Sequence, residues 1–99
     1  MLHVKNMTSP RTGREVANQF VIENGNTTMF QSYSSPIVEI DRDTMTIRVY
    51  RDWAYSRTTS KYRNQFFYEQ GFYELMNADL GEICTCLING HEWEIVRMF

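Results

Sequence analysis

Few side chains of this 99-residue chain are of the types that catalyse reactions. Nucleophilic catalysis needs a serine or cysteine beside a base, which is usually a histidine, and the chain has only His3 and His91. His3 lies in a segment predicted to be irregular, and His91 lies in a predicted turn. A hydrolase would need a pocket that brings His91 beside Cys84 or Cys86, and the sequence pattern does not predict one.

Two pairs of carboxylates could in principle act as general acid and base. Asp41 is two residues from Asp43, and Glu92 is two residues from Glu94. Both pairs fall at predicted turns or strand edges, where a solvated carboxylate is the simpler explanation. The sequence also lacks a glycine-rich phosphate loop, a dinucleotide fingerprint and ligands at metal-binding spacing. We therefore predict that the protein is not an enzyme and binds neither a cofactor nor a metal.

One segment, residues 48–63, interleaves basic and aromatic side chains. Arginine and lysine neutralise phosphates, aromatic rings stack on bases, and the free N–H groups at a helix start bind anions. Such a face could hold a nucleic acid, a nucleotide or an acidic protein surface. The residues predicted to contact a partner are Arg48, Tyr50, Arg51, Trp53, Tyr55, Arg57, Lys61 and Arg63. The residues predicted to bind an anion are Thr58, Thr59 and Ser60.

The same segment also has a purely structural interpretation. Trp53, Tyr55 and Tyr62 could be core aromatics that close the sheet against a helix, with residues 58–60 as an ordinary helix cap and the bases as a solubilising rim. A dedicated nucleic-acid binder is usually basic overall, whereas this chain has a net charge of −2 and a pI of about 5.6. Both interpretations stay open at the level of the sequence.

Charge is distributed unevenly along the chain. Residues 42–63 carry six bases against two acids, and residues 64–99 carry one base against six acids. This asymmetry predicts a dipolar molecule whose two sides prefer different partners. The acidic third could imitate nucleic acid, but six acids over this length are equally well explained as a solvated face.

Two β-hairpins are predicted ahead of the basic segment. Period-two patterns, β-branched and aromatic residues favour strands, and Asn24-Gly25-Asn26 is typical of a tight hairpin turn. A second turn is predicted at Asp41-Arg42-Asp43. The predicted strands cover residues 15–23, 27–33, 37–40 and 44–50.

Two helices and a last strand are predicted after these hairpins. The first helix begins near Lys61, with its N-cap among residues 58–60, and ends at Gly71. The second begins at Asn77 and is ended by Asn89-Gly90. Its apolar positions recur at three- and four-residue spacing; they are Leu80, Ile83, Cys84, Leu87 and Ile88. A final strand is predicted over residues 91–99.

These elements predict an α+β fold in one domain of residues 1–99, with residues 1–13 as an irregular lead-in. The fold is an antiparallel meander of four strands in two hairpins, followed by two helices that cover one sheet face and by a C-terminal strand. No apolar stretch reaches the roughly 20 residues of a membrane helix, and residues 1–14 contain no signal-peptide core. We therefore expect a cytoplasmic protein whose two cysteines are free thiols.

Three stretches carry a resemblance to known sequences. They are Asn18-Gln19-Phe20, Phe30-Gln31-Ser32-Tyr33, and the run from Trp53 to Phe66. In these stretches the chain resembles a group of small uncharacterised proteins encoded by bacteriophages and mobile elements of gut-type bacteria. The most specific part runs from Tyr55 to Tyr62, and Ala54 stands where the group often has an acidic residue. The resemblance covers about residues 18–67 and brings no established activity with it.

The resemblance implies a binding protein rather than a catalyst. We expect a phage-type protein that acts stoichiometrically on a host protein or nucleoprotein, as anti-defence proteins such as anti-CRISPRs do, using the aromatic and arginine side chains of residues 48–63 as anchors. The alternative is a direct binder of nucleic acid or a nucleotide through the same face. A homodimer, formed by strand pairing or helix packing, is compatible with either function, and no membrane partner is expected.

Overall fold

The computed structural model describes residues 2–99, which form a mixed sheet of seven strands with one α-helix packed on one face. The sheet order is β1-β2-β3-β4-β5-β7-β6. All neighbouring strands are antiparallel except β5 and β7, which are parallel. The strands are β1 Leu2–Thr8, β2 Glu15–Asn24, β3 Thr27–Ser32, β4 Ser35–Asp41, β5 Thr46–Val49, β6 Thr85–Ile88 and β7 His91–Arg97. The helix α1 is Arg57–Gln70, and a short 3₁₀ helix follows at Tyr73–Leu75.

The first five strands form a meander held by tight turns. Gly25 has φ 63° in the turn between β2 and β3, where Asn24 pairs with Thr27. A conformation with positive φ is available to glycine without steric penalty, so this turn closes as the sequence predicts. The next turn, between Ser32 and Ser35, places a tyrosine rather than a glycine at positive φ.

Parallel pairing of β5 with β7 requires a crossover, because the chain must return to the same end of the sheet. The segment after β5 supplies it through α1, the 3₁₀ helix and the β6 strand. The apolar stripe of α1 packs on the sheet, with the ring of Phe66 5.9 Å from that of Phe30. We call the face under α1 the inner face and the opposite face the outer face.

Side chains that pair across strands share a face, so the register identifies both faces. A row of the inner face runs through Val21, Phe30, Val38 and Val49, all of them buried. Each side chain of this size contributes about 1.5–3 kcal/mol through burial. A row of the outer face runs through Val4, Ile22, Met29, Glu39, Arg48 and Val96.

Helix α1 begins four residues earlier than predicted. Its N-cap is Ser56, whose hydroxyl accepts a hydrogen bond from the backbone N–H of Thr59 at 3.1 Å. The predicted caps at residues 58–60 therefore lie inside the first turn. The helix ends as predicted at Gly71, whose φ of 84° suits a glycine C-cap.

The prediction of an irregular lead-in is wrong for residues 2–8, whereas residues 9–13 form a turn outside any helix or strand. Within residues 1–13, residue 1 lies outside the described part, but Leu2–Thr8 forms β1 and pairs with β2. Its apolar residues do not alternate clearly, since Leu2 and Val4 are exposed while Met7 is buried. The strand is held by backbone pairing with β2, the next strand of the chain, and a strand held in this way need not show an apolar alternation of its own.

The predicted second helix is also wrong, and with it the predicted meander followed by two helices. In its place lie the 3₁₀ helix, a turn-rich segment and β6. Asn89 and Gly90 have φ 52° and 80° and are flanked by the pair Ile88 and His91. Two consecutive residues at positive φ form a hairpin turn of type I′, so Asn89-Gly90 connects two strands instead of ending a helix.

Strands β1 and β6 form the two edges of the sheet. The outer face carries no helix among residues 2–99. The single α-helix of this part of the chain has neither the length nor the apolar character needed to cross a bilayer.

Candidate functional site

A groove opens beside the first turn of α1, with a volume of about 550 Å³. The β3–β4 turn forms one wall, and the loop before α1 together with the helix start forms the other. We call it the α1 groove. Its lining residues are Ser32, Tyr33, Ser35, Ile37, Asp52, Tyr55, Ser56, Thr58 and Thr59.

Tyr33 occupies an unusual backbone conformation in the first wall. Its φ of 56° lies in the left-handed region, which disfavours bulky L-residues. Two hydrogen bonds hold it there: its N–H donates to the carbonyl of Asn18 at 2.7 Å, and its own carbonyl accepts from Nε2 of Gln31 at 2.8 Å. The ring is nevertheless 63% exposed, so the conformation presents this ring to solvent.

A β-bulge shapes the floor of the α1 groove. Phe30 pairs with Val38 and Gln31 pairs with Pro36, which leaves Ile37 as the extra residue of β4. A bulge re-aims a side chain that regular alternation would point elsewhere, and Ile37 and Val38 are consequently both buried. The carbonyl of Ile37 accepts from the N–H of Tyr50 at 3.0 Å, which ties the floor to the start of the opposite wall.

The second wall is held by Arg63, one turn into the interior of α1. Its Nη1 donates to the backbone carbonyl of Trp53 at 2.5 Å, and its guanidinium carbon lies 5.2 Å from the centre of the Trp53 ring. Arg63 is 4% exposed, and no carboxylate of residues 2–99 pairs with it. Burial away from a countercharge lowers the pKa of Arg63 from its usual value.

Trp53 is fixed from its other side by the segment that follows the 3₁₀ helix. A Cβ atom added at Gly81 would lie 3.3 Å from the Trp53 ring, which shows how closely the two approach. Two backbone turns follow within the loop, from Trp53 N–H to the Tyr50 carbonyl and from Tyr55 N–H to the Asp52 carbonyl, each at 3.1 Å. The loop that carries Tyr55 is therefore held in place by the contacts of Trp53 with Arg63 and Gly81 and by these two backbone hydrogen bonds.

The surface of the α1 groove is rich in aromatic rings and hydroxyls. Tyr55 is 79% exposed and lines the groove together with Tyr33. Serine and threonine hydroxyls supply donors and acceptors around an apolar floor, and Asp52 is the charged member of the lining. Rigid tyrosine rings among small hydroxyl residues are characteristic of surfaces that bind other proteins.

The eight residues predicted to form one partner-binding face are not brought together. Arg51, Tyr55, Arg57 and Lys61 are exposed in or beside the second wall. Their neighbours in the chain, such as Asp52, Ser56 and Thr58, line the α1 groove. This part of the predicted face lies on the surface.

Arg48 lies on the outer face, on the side of the sheet opposite to α1. Its Nη1 contacts Glu39 at 2.8 Å and its Nη2 contacts Asp41 at 3.0 Å. These bonds raise the pKa of Arg48, and the bond from Arg48 lowers the pKa of Asp41. Arg48 therefore stabilises the sheet and takes no part in the groove.

Three further predicted contact residues are half-buried or buried. Tyr50 is half-buried, and burial is the first cause that raises the pKa of its hydroxyl, followed by the charge of Glu39. Trp53 is half-buried, and Arg63 is buried beneath it. Of the three predicted anion ligands, Thr58 is exposed, Ser60 is half-buried and Thr59 is buried.

Sequence reasoning missed the whole first wall. Ser32, Tyr33, Ser35 and Ile37 precede the basic segment by 11 to 16 residues and carry no charge pattern. A signal was available, because the stretch Phe30-Gln31-Ser32-Tyr33 carries part of the resemblance. Ser32 and Tyr33 of this stretch line the α1 groove together with Tyr55, Ser56, Thr58 and Thr59, which are distant in sequence.

Neither a metal site nor a catalytic couple is seen in the described part of the chain. Among residues 2–99, no three His, Cys, Asp or Glu side chains gather in a group that could hold a metal ion. His91 lines a different cleft, whose lining includes neither Cys84 nor Cys86. Burial, followed by the charge of Glu74, raises the pKa of the Cys86 thiol, which disfavours the reactive thiolate.

Comparison with known protein families gives one match. A family model described as "Family of unknown function (DUF8033)" covers residues 2–82 of the chain. The chain belongs to this family. All residues that line the α1 groove fall within the DUF8033 match, whereas β6 and β7 lie beyond it. No curated protein and no solved structure matches the chain significantly.

Proposed function

We propose that this DUF8033 protein is a small binding protein that receives a segment of a partner protein in the α1 groove and acts on that partner stoichiometrically. The observation that carries the proposal is the backbone of Tyr33, held at φ 56° while its ring stays exposed on the groove. Such a conformation in a non-glycine residue costs roughly 1–3 kcal/mol. Strain of this kind is concentrated at functional sites.

The chemistry of the α1 groove favours an extended peptide segment. Tyr33 and Tyr55 offer two large rings whose ordering on binding costs little side-chain entropy. The exposed hydroxyl of Thr58 can bond to the main chain of a partner. Asp52 favours a basic side chain at one point of that segment, since a carboxylate that a partner covers is stabilised by an opposite charge.

The resemblance to bacteriophage and mobile-element proteins supports a bacterial host protein, or a protein within a host nucleoprotein, as the partner. An inhibitor needs a rigid surface with aromatic anchors and no active site. The clamp of Arg63 on Trp53 supplies that rigidity on one side of the groove. An anti-defence inhibitor is one class of protein that meets these requirements.

A direct nucleic-acid or nucleotide binder is the second candidate, supported by one observation. Arg51, Arg57 and Lys61 are exposed, and none of them forms an ion pair with the described residues. Arg57 is the first residue of α1, where free N–H groups attract phosphate. The carboxylate of Asp52 in the same groove and the acidic net charge favour the protein partner.

Affinity capture from bacterial lysate with the tagged full-length chain tests the proposal. The wild type is compared with the double variant Tyr33→Ala/Tyr55→Ala. The matched control is Tyr68→Ala/Tyr73→Ala, which removes an exposed tyrosine pair with ring centres 5.4 Å apart outside the α1 groove. We expect the wild type and the control to retain one protein in a 1:1 ratio, and the groove variant to retain at least about tenfold less.

A labelled single-stranded nucleic-acid probe distinguishes the second candidate function from the first. It is used with the wild type and with a second variant, Arg51→Ala/Arg57→Ala/Lys61→Ala. Probe binding that weakens steeply with salt and disappears in this variant would replace the protein partner with nucleic acid. Absence of probe binding, together with capture that depends on the two tyrosines, supports the protein partner.

We also propose that the protein forms a homodimer through β1. β1 is an edge strand of seven residues, and Leu2 and Val4 on it are 64% and 52% exposed. Val4 continues the outer-face row of Ile22 and Met29, so an apolar strip runs to the open edge. Antiparallel pairing of β1 with β1 of a second copy would extend this strip and satisfy the free backbone groups.

A further inference from the structure

A second cleft, of about 430 Å³, lies where α1 ends, between the helix C-cap and the hairpin of β6 and β7. Gln70 and Gly71 line it from the helix, and His91 and Trp93 line it from β7. Because α1 has 14 residues at about 1.5 Å each, this cleft and the α1 groove lie roughly 20 Å apart. We call it the Arg42 cleft.

Arg42 is held in place at this cleft by neutral side chains. Its Nη1 donates to the hydroxyl of Thr28 at 2.9 Å, and its Nη2 donates to Oε1 of Gln70 at 3.0 Å. Its guanidinium carbon lies 5.8 Å from the centre of the Phe72 ring. A guanidinium has five N–H groups, so several donors stay available on a side chain whose position is already fixed.

The base of the Arg42 cleft is formed by two aromatic side chains. Phe72 and Trp93 pack edge to face with ring centres 4.9 Å apart, and both are largely buried. Trp93 is one of the residues that line the cleft, and its indole N–H has no hydrogen-bond acceptor among residues 2–99. His91 adds an exposed imidazole at the rim.

No acidic residue among residues 2–99 lines this cleft. Its nine lining residues include no Asp or Glu, although the whole chain carries 12 acidic residues and a net charge of −2. Arg42 also has no ion pair among the described residues. A fixed arginine without a countercharge, beside an apolar base of two aromatic rings, is complementary to an anion that carries an apolar ring.

We infer that the Arg42 cleft binds a small aromatic carboxylate, with the carboxylate on the guanidinium of Arg42 and the ring against Phe72 and Trp93. This site is independent of the α1 groove, because the two cavities share no lining residue. Charge-assisted bonds from Arg42 supply the specificity for an anion. Edge or face contacts with two rings supply the preference for a flat body.

Benzoate is the probe, and the two tryptophans of the chain provide an internal control. In a ¹H–¹⁵N NMR titration of the full chain, benzoate should shift the indole signal of Trp93 and leave that of Trp53 unchanged. Benzamide, which has the same shape without the charge, should bind at least about tenfold more weakly. Inorganic phosphate, an anion without a ring, should also bind at least about tenfold more weakly than benzoate.

Variants complete the test. Arg42→Met should weaken benzoate binding at least about tenfold, while Arg51→Met, which removes an exposed arginine outside the cleft, should leave it unchanged. If Arg42→Met fails to fold, His91→Glu places a negative charge at the exposed rim and should weaken binding several-fold. The inference is overturned if benzoate moves neither indole signal up to about 20 mM. It is equally overturned if benzamide matches benzoate, or if a folded Arg42→Met or His91→Glu variant binds benzoate as tightly as the wild type.

Discussion

The guanidinium of Arg63 stacks on the ring of Trp53 and donates a hydrogen bond to the carbonyl of the same residue. One side chain of α1 thereby fixes both the backbone and the ring of the loop that precedes the helix. Tyr55 lies two residues further along that loop and lines the α1 groove. The position of the most exposed ring of the groove thus depends on a buried cation.

Arg63→Lys should lower the free energy of unfolding by about 2 kcal/mol. A lysine ammonium can neither stack as a plane on Trp53 nor reach the carbonyl in the same geometry, and it is harder to bury. Urea denaturation measures the change, and Arg57→Lys, at an exposed position of the same helix, should shift stability by less than about 0.5 kcal/mol. Equal stability of the two variants would show that the clamp is not important for the fold.

Tyr33→Gly should raise the free energy of unfolding by about 1 kcal/mol while abolishing partner capture. Glycine adopts φ 56° without strain, but it removes the exposed ring. Tyr33→Ala is the matched control, because it removes the ring and keeps the strain, so it should lose capture without a comparable gain in stability. Thermal and urea unfolding measure stability, and capture is measured in parallel. A Tyr33→Gly variant less stable than Tyr33→Ala would contradict a strained backbone at this position.

The ion pairs of the outer face should make stability dependent on pH. Arg48 lowers the pKa of Asp41 below 3.8, its value in an unfolded chain. A carboxylate whose pKa is lower in the folded state stabilises the fold above pH 3.8, and this contribution is lost as pH falls below that value. Asp41→Asn should therefore be less stable than the wild type at pH 7, and the difference should shrink below pH 3.8. Urea denaturation at a series of pH values measures it, and a difference that stays constant with pH would contradict the assignment.

Dimerisation through β1 should be concentration-dependent and sensitive to a charge on that edge. Light scattering on a gel-filtration column should show the mass rising above the 11.8 kDa of one chain as concentration increases. Val4→Lys should hold the protein at the mass of one chain, because an edge lysine opposes strand pairing. Leu87→Lys changes an exposed leucine on β6, the other edge, and should behave like the wild type. Equal effects of the two lysines would contradict pairing through β1.

The elements that local chemistry determines were predictable from the sequence. Asn24-Gly25 allows few conformations other than a turn, and Gly71 ends α1 because its positive φ excludes most other residues. Asn89-Gly90 carries an equally strong turn signal. It was interpreted as a helix end because Leu80, Ile83 and Leu87 happen to repeat at helical spacing. A short apolar segment can satisfy both periods, and pairing with β7 decides between them.

The rest of the site depends on contacts between distant residues. The α1 groove forms because the turn at Tyr33 lies opposite a loop some twenty residues later in the chain. In the fold as a whole, β1 is likewise held by its pairing with β2. Arg63 was predicted to contact a partner as one of the basic side chains of residues 48–63, whereas its neighbours in space bury it. Arg48 was assigned to the same face as Arg51. Strand alternation instead places it on the outer face, where it forms ion pairs with Glu39 and Asp41.

The contact between the α1 groove and its partner is tested most directly by photocrosslinking. A photoreactive phenylalanine analogue is placed at Tyr55 in one sample and at Tyr68, an exposed position outside the groove, in another. Illumination in bacterial lysate should join the Tyr55 sample to a single protein and leave the Tyr68 sample uncrosslinked. Crosslinking of the same protein from Tyr68 but not from Tyr55, or of nucleic acid in place of protein, would contradict the account.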